Sequence, residues 1–298
     1  MVTSDLKPSG VSSKKDLIWE VFTEKAGVWA DADDVQQGFV DHIDATKDTT
    51  DYLWYTTRLH VDGNEEFLKN GRKPMLLIES KGHALHTFTA SSAFYEFAGA
   101  GLTSVKIDGF NNGILDLSTS KWVYKIGVQG EHLGLHKTDG LHNVNWKSST
   151  VAPKYRPLTW YKAVVNPPPG NDPVALDMVH MGKGLAWLNG ESIRRYWTTK
   201  TSAFLECDPK CDYRGEYEPA KCSTGCGEPT QRWYHIPRSW FKPSGNVLVV
   251  FEETGGDPSQ IKFATRRLYG VCVHLSQEYP TIEMHSKTKG EDVNHKAL

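Results

Sequence analysis

The sequence predicts an all-β protein in which antiparallel sheets pack as sandwiches or jelly rolls. Apolar and polar residues alternate with period two over many short runs, and Gly, Pro, Asn and Asp bound these runs. The runs recur at roughly eight to twelve residues, which is the spacing typical of two packed sheets. Helix-like segments are few in comparison, so a helical or mixed fold is not favoured.

The strand pattern is clearest in a set of segments spread along the whole chain. They are 52–59, 74–78, 102–107, 158–165, 174–181, 185–188, 232–236, 247–252, 261–267 and 271–275. Near the N-terminus, residues 17–22 also fit a strand, and the acidic stretch 31–35 predicts the start of a short helix. The polar residues 285–298 show no apolar period and predict a disordered tail.

Two turns are predicted from their residues. Asn189-Gly190 is typical of a type I′ hairpin, because both central residues of that turn need positive φ. It should join the strand at Trp187 to the strand at Tyr196. The run 167–170 (Pro-Pro-Pro-Gly) cannot continue a hydrogen-bonded ladder and predicts an exposed turn.

Composition restricts the partners. The 298 residues are 39% hydrophobic and 11% aromatic, enough for globular cores, and the net charge of -2 comes from 34 basic and 36 acidic residues. No basic stripe favours nucleic acid or a membrane surface. No apolar run approaches the roughly 18 residues needed to span a bilayer, and the first residues lack the apolar centre of a signal peptide.

Four of the five cysteines form one C-x3-C-x10-C-x3-C cluster, and Cys272 lies apart from them. The clustered residues are Cys207, Cys211, Cys222 and Cys226. Zinc and disulfides both fit this spacing. The polar, turn-rich sequence between the cysteines favours disulfides that close a long loop, with three pairings open. We therefore predict disulfides and no metal or cofactor.

One region has the chemistry of a carbohydrate contact, which combines aromatic faces with a few convergent polar groups. The candidates are Trp187, Asn189, Arg195, Tyr196, Trp197 and Trp233. Burial is the stronger interpretation of most of them, because Trp187 alternates with Leu185 and tryptophans such as Trp160, Trp233 and Trp240 suit the layer between two sheets. Tyr196 and Trp197 are slightly favoured as contacts because they follow a turn.

Several segments together carry a resemblance to one family. They are 25–29, 48–57, 82–86, 99–107, 157–162, 177–190, 231–240 and 245–253. In order and spacing they resemble the region after the catalytic barrel in plant β-galactosidases of glycoside hydrolase family 35. The resemblance implies galactose-binding-like β-sandwiches, a parent activity on terminal nonreducing β-D-galactose with retention, and a secreted, apoplastic, cell-wall or vacuolar location.

No segment matches the barrel that carries the family's paired glutamates, so we predict no catalytic residue and no activity of this chain alone. Retaining glycosidases need two carboxyl groups roughly 5 to 5.5 Å apart. The closest imitation of the acid/base motif is Asn64-Glu65-Glu66, interpreted as a solvated hairpin. The acidic pairs Asp33-Asp34 and Glu252-Glu253 lie in linker or strand-end contexts.

Two departures from the family pattern stand out. The segment 82–86 leads almost directly to 94–96, which predicts that the first jelly roll has lost its central strands. Arg194 stands where the family commonly has glycine, so a local bend there should differ. The predicted domains are a linker with a first strand at 1–57, a truncated jelly roll at 58–150, a complete galactose-binding-like jelly roll at 151–270 and a tail at 271–298.

Three functions follow as alternatives. The leading one is a noncatalytic β-sandwich region that packs on the catalytic barrel of a parent enzyme. The second is a stand-alone module that binds galactosides or cell-wall galactans, and the third is a truncated gene product without an independent role. Exposed aromatic residues would favour the second, and buried ones would leave a scaffold.

Overall fold

The computed structural model describes residues 2–8, 17–27, 30–81, 85, 101–149, 151–200, 226–271, 284–288 and 291–295. The chain forms two compact units. Unit 1 comprises residues 1–21, 148–157 and 161–298, and unit 2 comprises residues 22–147 and 158–160. Strands dominate both, and no helix in the described ranges is long and apolar enough to cross a membrane.

The strands and helices have the following bounds in chain order. They are β1 Val2–Pro8, β2 Trp19–Thr23, β3 Asp34–Gln37, α1 His42–Thr46, β4 Leu53–Thr56, α2 Glu66–Asn70, β5 Met75–Ser80, β6 Leu102–Phe110, β7 Gly113–Asp116, β8 Lys121–Ile126, α3 Gln129–His132, β9 Lys147–Ser149, β10 Thr159–Val165, β11 Val174–Asp177, β12 Lys183–Leu188, β13 Glu191–Trp197, β14 Trp233–Ile236, β15 Asn246–Glu252, β16 Lys262–Val271, β17 Met284–Thr288 and β18 Glu291–His295.

Unit 1 contains a β-sandwich. One sheet has the order β1-β16-β11-β14 and the other the order β13-β12-β15-β10-β2-β9. The pairs β1–β16, β11–β16, β11–β14, β12–β13 and β12–β15 are antiparallel. Alternate residues of both sheets, such as Tyr161, Leu176, Leu188, Ile236 and Val250, meet in a fully buried apolar core.

Unit 2 contains two smaller sheets, with the orders β3-β8-β4 and β5-β6-β7. Val105, Leu117, Trp122 and Tyr124 form the buried centre of its core. Rings from neighbouring strands pack edge to face there, as Tyr55 does against Tyr124 with ring centroids 5.3 Å apart. The predicted loss of central strands concerns residues 82–100, most of which lie outside the described ranges, so it stays a prediction.

Most predicted strands are confirmed, with ends shifted by a few residues. The segment 174–181 is a strand only through Asp177, because Met181 donates back to Met178 in a turn. The predicted strand 271–275 lies outside the described residues beyond Val271. The proline-rich run 167–170 lies between β10 and β11, as predicted, and leads into a bend at 169–172, although Pro168 is buried rather than exposed.

Two local predictions are wrong. The acidic stretch 31–35 leads into strand β3, which pairs with β8, and the short helix begins later, where the Asp41 carboxylate accepts from Ile43 and Asp44. Strand pairing outweighs the helix-start signal of this acidic stretch, in which the Asp34 carboxylate accepts a hydrogen bond from Val35 N. The C-terminal segment predicted to be disordered contains the antiparallel pair β17 and β18. Backbone pairing in a hairpin requires no apolar period, so composition did not reveal it.

Candidate functional site

The β12–β13 hairpin holds most of the predicted carbohydrate contacts. Asn189 and Gly190 have φ of 53° and 89°, as the predicted turn requires. The Asn189 amide donates to Trp240 O at 2.8 Å and to Asn246 Oδ1 at 2.9 Å, and its oxygen accepts from Val247 N at 2.9 Å. Through these hydrogen bonds the Asn189 side chain holds the turn in place, so Asn189 has a structural role.

A β-bulge sets which residues of β13 face the core. The β12–β13 register shifts between Ala186 and Trp187, and Arg194 has φ of 80°. As a result, both Ile193 and Tyr196 point into the core although they are three residues apart. Arg194 therefore adopts the left-handed conformation that glycine tolerates best.

Tyr196 is buried rather than available to a ligand. Its side chain is 1% exposed, and its hydroxyl lies 2.9 Å from Phe251 O and 3.0 Å from the Glu252 carboxylate. Gly184 makes room for this arrangement, because a Cβ there would lie 1.8 Å from Phe251 O and 2.7 Å from the Tyr196 hydroxyl. The glycines of Gly182-Lys183-Gly184 thus serve close packing at the start of a strand.

Trp187, Arg195 and Trp197 lie on the sheet face that points away from the unit 1 core. Trp187 is buried at 6% exposure, while Arg195 and Trp197 are half-buried. Glu253, 2% exposed, joins Arg195 Nη1 at 2.5 Å and Lys183 Nζ at 2.9 Å. The Lys183 ammonium also sits 5.0 Å from the centre of the Trp197 ring. We call Lys183, Arg195, Trp197 and Glu253 the Glu253 cluster.

Trp233 lies in the other sheet and is not part of this cluster. We expected it to fill the layer between the sheets, but that prediction is wrong. Tyr234 and Ile236 take the inward positions of β14, so the alternation turns Trp233 outward, where it is 39% exposed. The Arg232 guanidinium carbon lies 4.9 Å from the centre of its ring.

The six predicted residues therefore do not form one site. Arg195 and Trp197 belong to the Glu253 cluster, whereas Trp187, Asn189 and Tyr196 are held in packing or turn contacts. Sequence reasoning missed the partners Lys183, Asp177 and Arg232. The Arg232–Asp177 pair joins residues 55 positions apart, and only the register of β11 against β14 reveals it.

A match to a known protein family covers the region that holds these candidate residues. Residues 158–246 match a family described as the galactose-binding domain of β-galactosidase. The chain is 51% identical to β-galactosidase 10 of Arabidopsis thaliana over 89% of its length, and 46% identical to β-galactosidase 3 of Oryza sativa subsp. japonica over 95%. The chain belongs with the plant β-galactosidases, as a C-terminal region. It spans 42% and 38% of the length of these two relatives.

In this β-galactosidase region, the carboxylate of Glu252 is buried and surrounded by hydrogen-bond donors. It is 0% exposed and accepts hydrogen bonds from four backbone N–H groups and two hydroxyls. The donors are Gly182 N, Lys183 N, Tyr196 Oη, Thr254 N, Thr254 Oγ1 and Gly255 N, at 2.9 to 3.2 Å. A carboxylate held in this way stabilises the strand end and has no access to a substrate.

One carboxylate in each of the other acidic pairs of the β-galactosidase region is held in structural contacts as well. Glu65 was expected in a solvated hairpin, which is wrong, since it is 8% exposed and accepts from Asn111 N at 2.8 Å at the start of α2. Asp33 pairs with Lys125 Nζ at 2.9 Å and accepts from Ile126 N at 2.7 Å. Burial opposes ionisation of Asp33, but these donors outweigh it and lower its pKa.

A shallow concavity of about 380 Å³ lies beside Asp33 in unit 2, with Asp34, Asp44 and Tyr124 in its lining. Its acidic side chains suggest cation binding at first sight. In the described part of the chain, however, no three His, Cys, Asp or Glu residues are grouped so that they could hold a metal ion.

Proposed function

We propose that this chain is the noncatalytic β-sandwich region of an enzyme that hydrolyses terminal nonreducing β-D-galactose residues with retention. The contacts of the Glu252 and Glu253 carboxylates are the main support for this proposal. These adjacent carboxylates lie at and just beyond the end of β15 and project to opposite sides, one to the Tyr196 hydroxyl and the other to Lys183 and Arg195. A retaining pair must instead flank one glycosidic bond from open positions.

The partner that we propose for this region is the catalytic barrel of the parent enzyme, which would supply the paired glutamates. The region would pack against that barrel and shape access for galactosides. A sandwich with a large buried core suits this role, since apolar side chains fill that core and rings such as Trp19 and Tyr161 pack edge to face at 6.1 Å. We further propose that both sandwiches are jelly rolls, the first of them truncated.

Disulfides and an oxidising location are part of the same proposal. Cys207, Cys211 and Cys222 lie outside the described residues, whereas Cys226 is disulfide-bonded, which supports closure of the long loop by disulfides. Such bonds persist in secreted proteins. We therefore propose a secreted, cell-wall or vacuolar location for the parent enzyme.

One observation favours a second function, a stand-alone carbohydrate-binding module. Trp233 is 39% exposed on an ordered strand, and an exposed aromatic ring is what such a module needs. A truncated product without an independent role is the remaining alternative, and no contact of the described residues argues for it.

Two assays on one purified sample separate these functions. Release of nitrophenol from a nitrophenyl β-D-galactoside tests catalysis, and retention by a galactan tests binding. The proposal expects no release, and release dependent on Glu252 or Glu253 would overturn it. Retention without release is expected of a region that binds carbohydrate, either as part of a parent enzyme or as a stand-alone module, whereas neither result leaves a scaffold role.

A further inference from the structure

We propose that the outward face of β11 and β14 binds a pyranose unit of a galactose-containing polysaccharide, with Trp233 as the stacking surface. This inference rests on the proposed function, because it assumes that the region serves an enzyme acting on galactosides. It adds a specific site to that function. Asp177, Arg232, Trp233 and His235 form the site, which we call the Trp233 platform.

The position of Trp233 in its strand makes the ring accessible. Along β14, Tyr234 and Ile236 enter the core, so Trp233 and His235 share the outward face and both are exposed. Of the described tryptophans, Trp233 is the most exposed, at 39%. Tryptophan is costly to leave in water, because its large apolar rings would contribute favourably if buried.

The ring is also held in place before any ligand arrives. Arg232 donates to both Asp177 oxygens, from Nε at 2.8 Å and from Nη2 at 2.7 Å. The two acceptor oxygens match the planar guanidinium, and this bidentate geometry fixes its plane. With its carbon 4.9 Å from the ring centre, the guanidinium covers part of the indole and restrains it.

The two strands fix the spacing of the platform. Asp177 lies opposite Trp233, and Ala175 lies opposite His235 in the antiparallel register. On the other side of β11, Asp177 lies opposite Lys262, which is exposed. Groups placed on strands keep their geometry better than groups on loops, so less conformational freedom is lost on binding.

The chemistry of these groups suits a sugar. A pyranose presents C–H groups on one face, which pack on an indole, and hydroxyls at its edge, which need donors and acceptors. His235 and Lys262 supply such polar groups within the same face, and Arg232 and Asp177 border it. The match to a galactose-binding domain covers residues 158–246 and includes all four residues of the platform.

The test is affinity electrophoresis of the whole chain in gels that contain a soluble galactan, with a glucan gel as the reference. Trp233→Ala should weaken retardation about tenfold or more, as expected when the central aromatic residue of a contact is removed. Trp233→Phe, which keeps an aromatic face, should lose less. Tyr155→Ala is the matched control, because Tyr155 is an aromatic residue of unit 1 that is 75% exposed and lies outside the platform.

Two results would overturn the platform, and each is distinguishable from failure of the proposed function. The first is a wild-type chain that migrates equally in galactan and glucan gels. The second is a folded Trp233→Ala chain, checked by its thermal unfolding, that is retarded like wild type. Neither result bears on the hydrolysis assay, which tests the proposed function separately.

Discussion

The indole N–H of Trp160 donates a 2.6 Å hydrogen bond to the carboxylate of Glu24. Both side chains are buried in unit 2, at 0% and 7% exposure. The same carboxylate accepts from Gly130 N at 2.6 Å and Gln129 N at 2.8 Å, at the start of α3. A Cβ on Gly130 would lie 2.3 Å from the indole, so glycine is needed for this close approach. The contact anchors α3 to a buried acid.

Trp160→Phe should lower the free energy of unfolding by about 2–3 kcal/mol, because a buried carboxylate loses one of its donors. Trp54→Phe is the matched control, since Trp54 donates to the neutral carbonyl of Gly127 at 3.1 Å in a half-buried site. We expect about 1 kcal/mol for that variant. Urea unfolding measures both free energies. Equal losses would show that the hydrogen bond to Glu24 stabilises the chain no more than the bond from Trp54 to Gly127.

The same acid predicts a pH dependence. Burial raises the pKa of Glu24 above its ordinary value of 4.5, and the N–H groups of Gly130, Trp160 and Gln129 offset only part of that effect. The folded chain therefore binds a proton more tightly than the unfolded chain does. Above pH 4.5, the contribution of Glu24 to stability should fall as the pH rises through its folded pKa.

Glu24→Gln removes this titration and provides the comparison. Thermal or urea unfolding from pH 4 to 8 should show the wild-type free energy declining relative to that of the variant across the window. A constant difference between the two chains over the whole range would contradict the raised pKa.

Arg194→Gly should stabilise the chain by roughly 0.5–1 kcal/mol. Its φ of 80° is a left-handed conformation that costs a residue with a Cβ about 1–2 kcal/mol. Glycine avoids this cost but loses more conformational entropy on folding, which offsets part of the gain. Glu191→Gly, in the same strand but without positive φ, is the control and should destabilise by about 0.5–1 kcal/mol. A loss of stability in both variants would show that the bulge does not strain Arg194.

The sequence predicted the hairpin at Asn189-Gly190 because turn chemistry is local, and it predicted most strands because alternation records which face is buried. The expected difference of the bend at Arg194 from that of the family stays a prediction. Sequence reasoning failed at Trp233, since a tryptophan in a strand fits either face, and the register of β14 decides which one. Likewise, strand β3 replaced the helix predicted at 31–35 because its partner β8 lies far along the chain.

The site was harder to predict than the fold. Glu252 and Glu253 look alike in sequence, yet one is enclosed by backbone N–H groups and the other joins two cations. Besides the local donors Thr254 and Gly255, their partners lie in β12 and β13 or just before β12, up to 70 residues away. Spacing along one strand cannot show which groups of another strand will meet a carboxylate.

Glu252→Gln should lower the free energy of unfolding by about 2–4 kcal/mol. The amide NH2 would replace one acceptor oxygen and face donors such as Gly182 N or Gly255 N, leaving buried N–H groups without acceptors. Glu228→Gln, at an exposed position beside an isolated β-bridge, is the comparison and should change stability by less than about 1 kcal/mol. A fully stable Glu252→Gln chain would mean that this carboxylate is not a structural acceptor.

We propose that this chain lacks a catalytic pair, and hydrolysis of a nitrophenyl β-D-galactoside by the purified 298-residue chain tests this proposal most directly. We predict no release of nitrophenol above the buffer rate, for wild type and for folded Glu253→Gln alike. Release by the wild-type chain that is lost in folded Glu253→Gln or Glu252→Gln would contradict the proposal, because it would place a catalytic carboxylate at the end of β15.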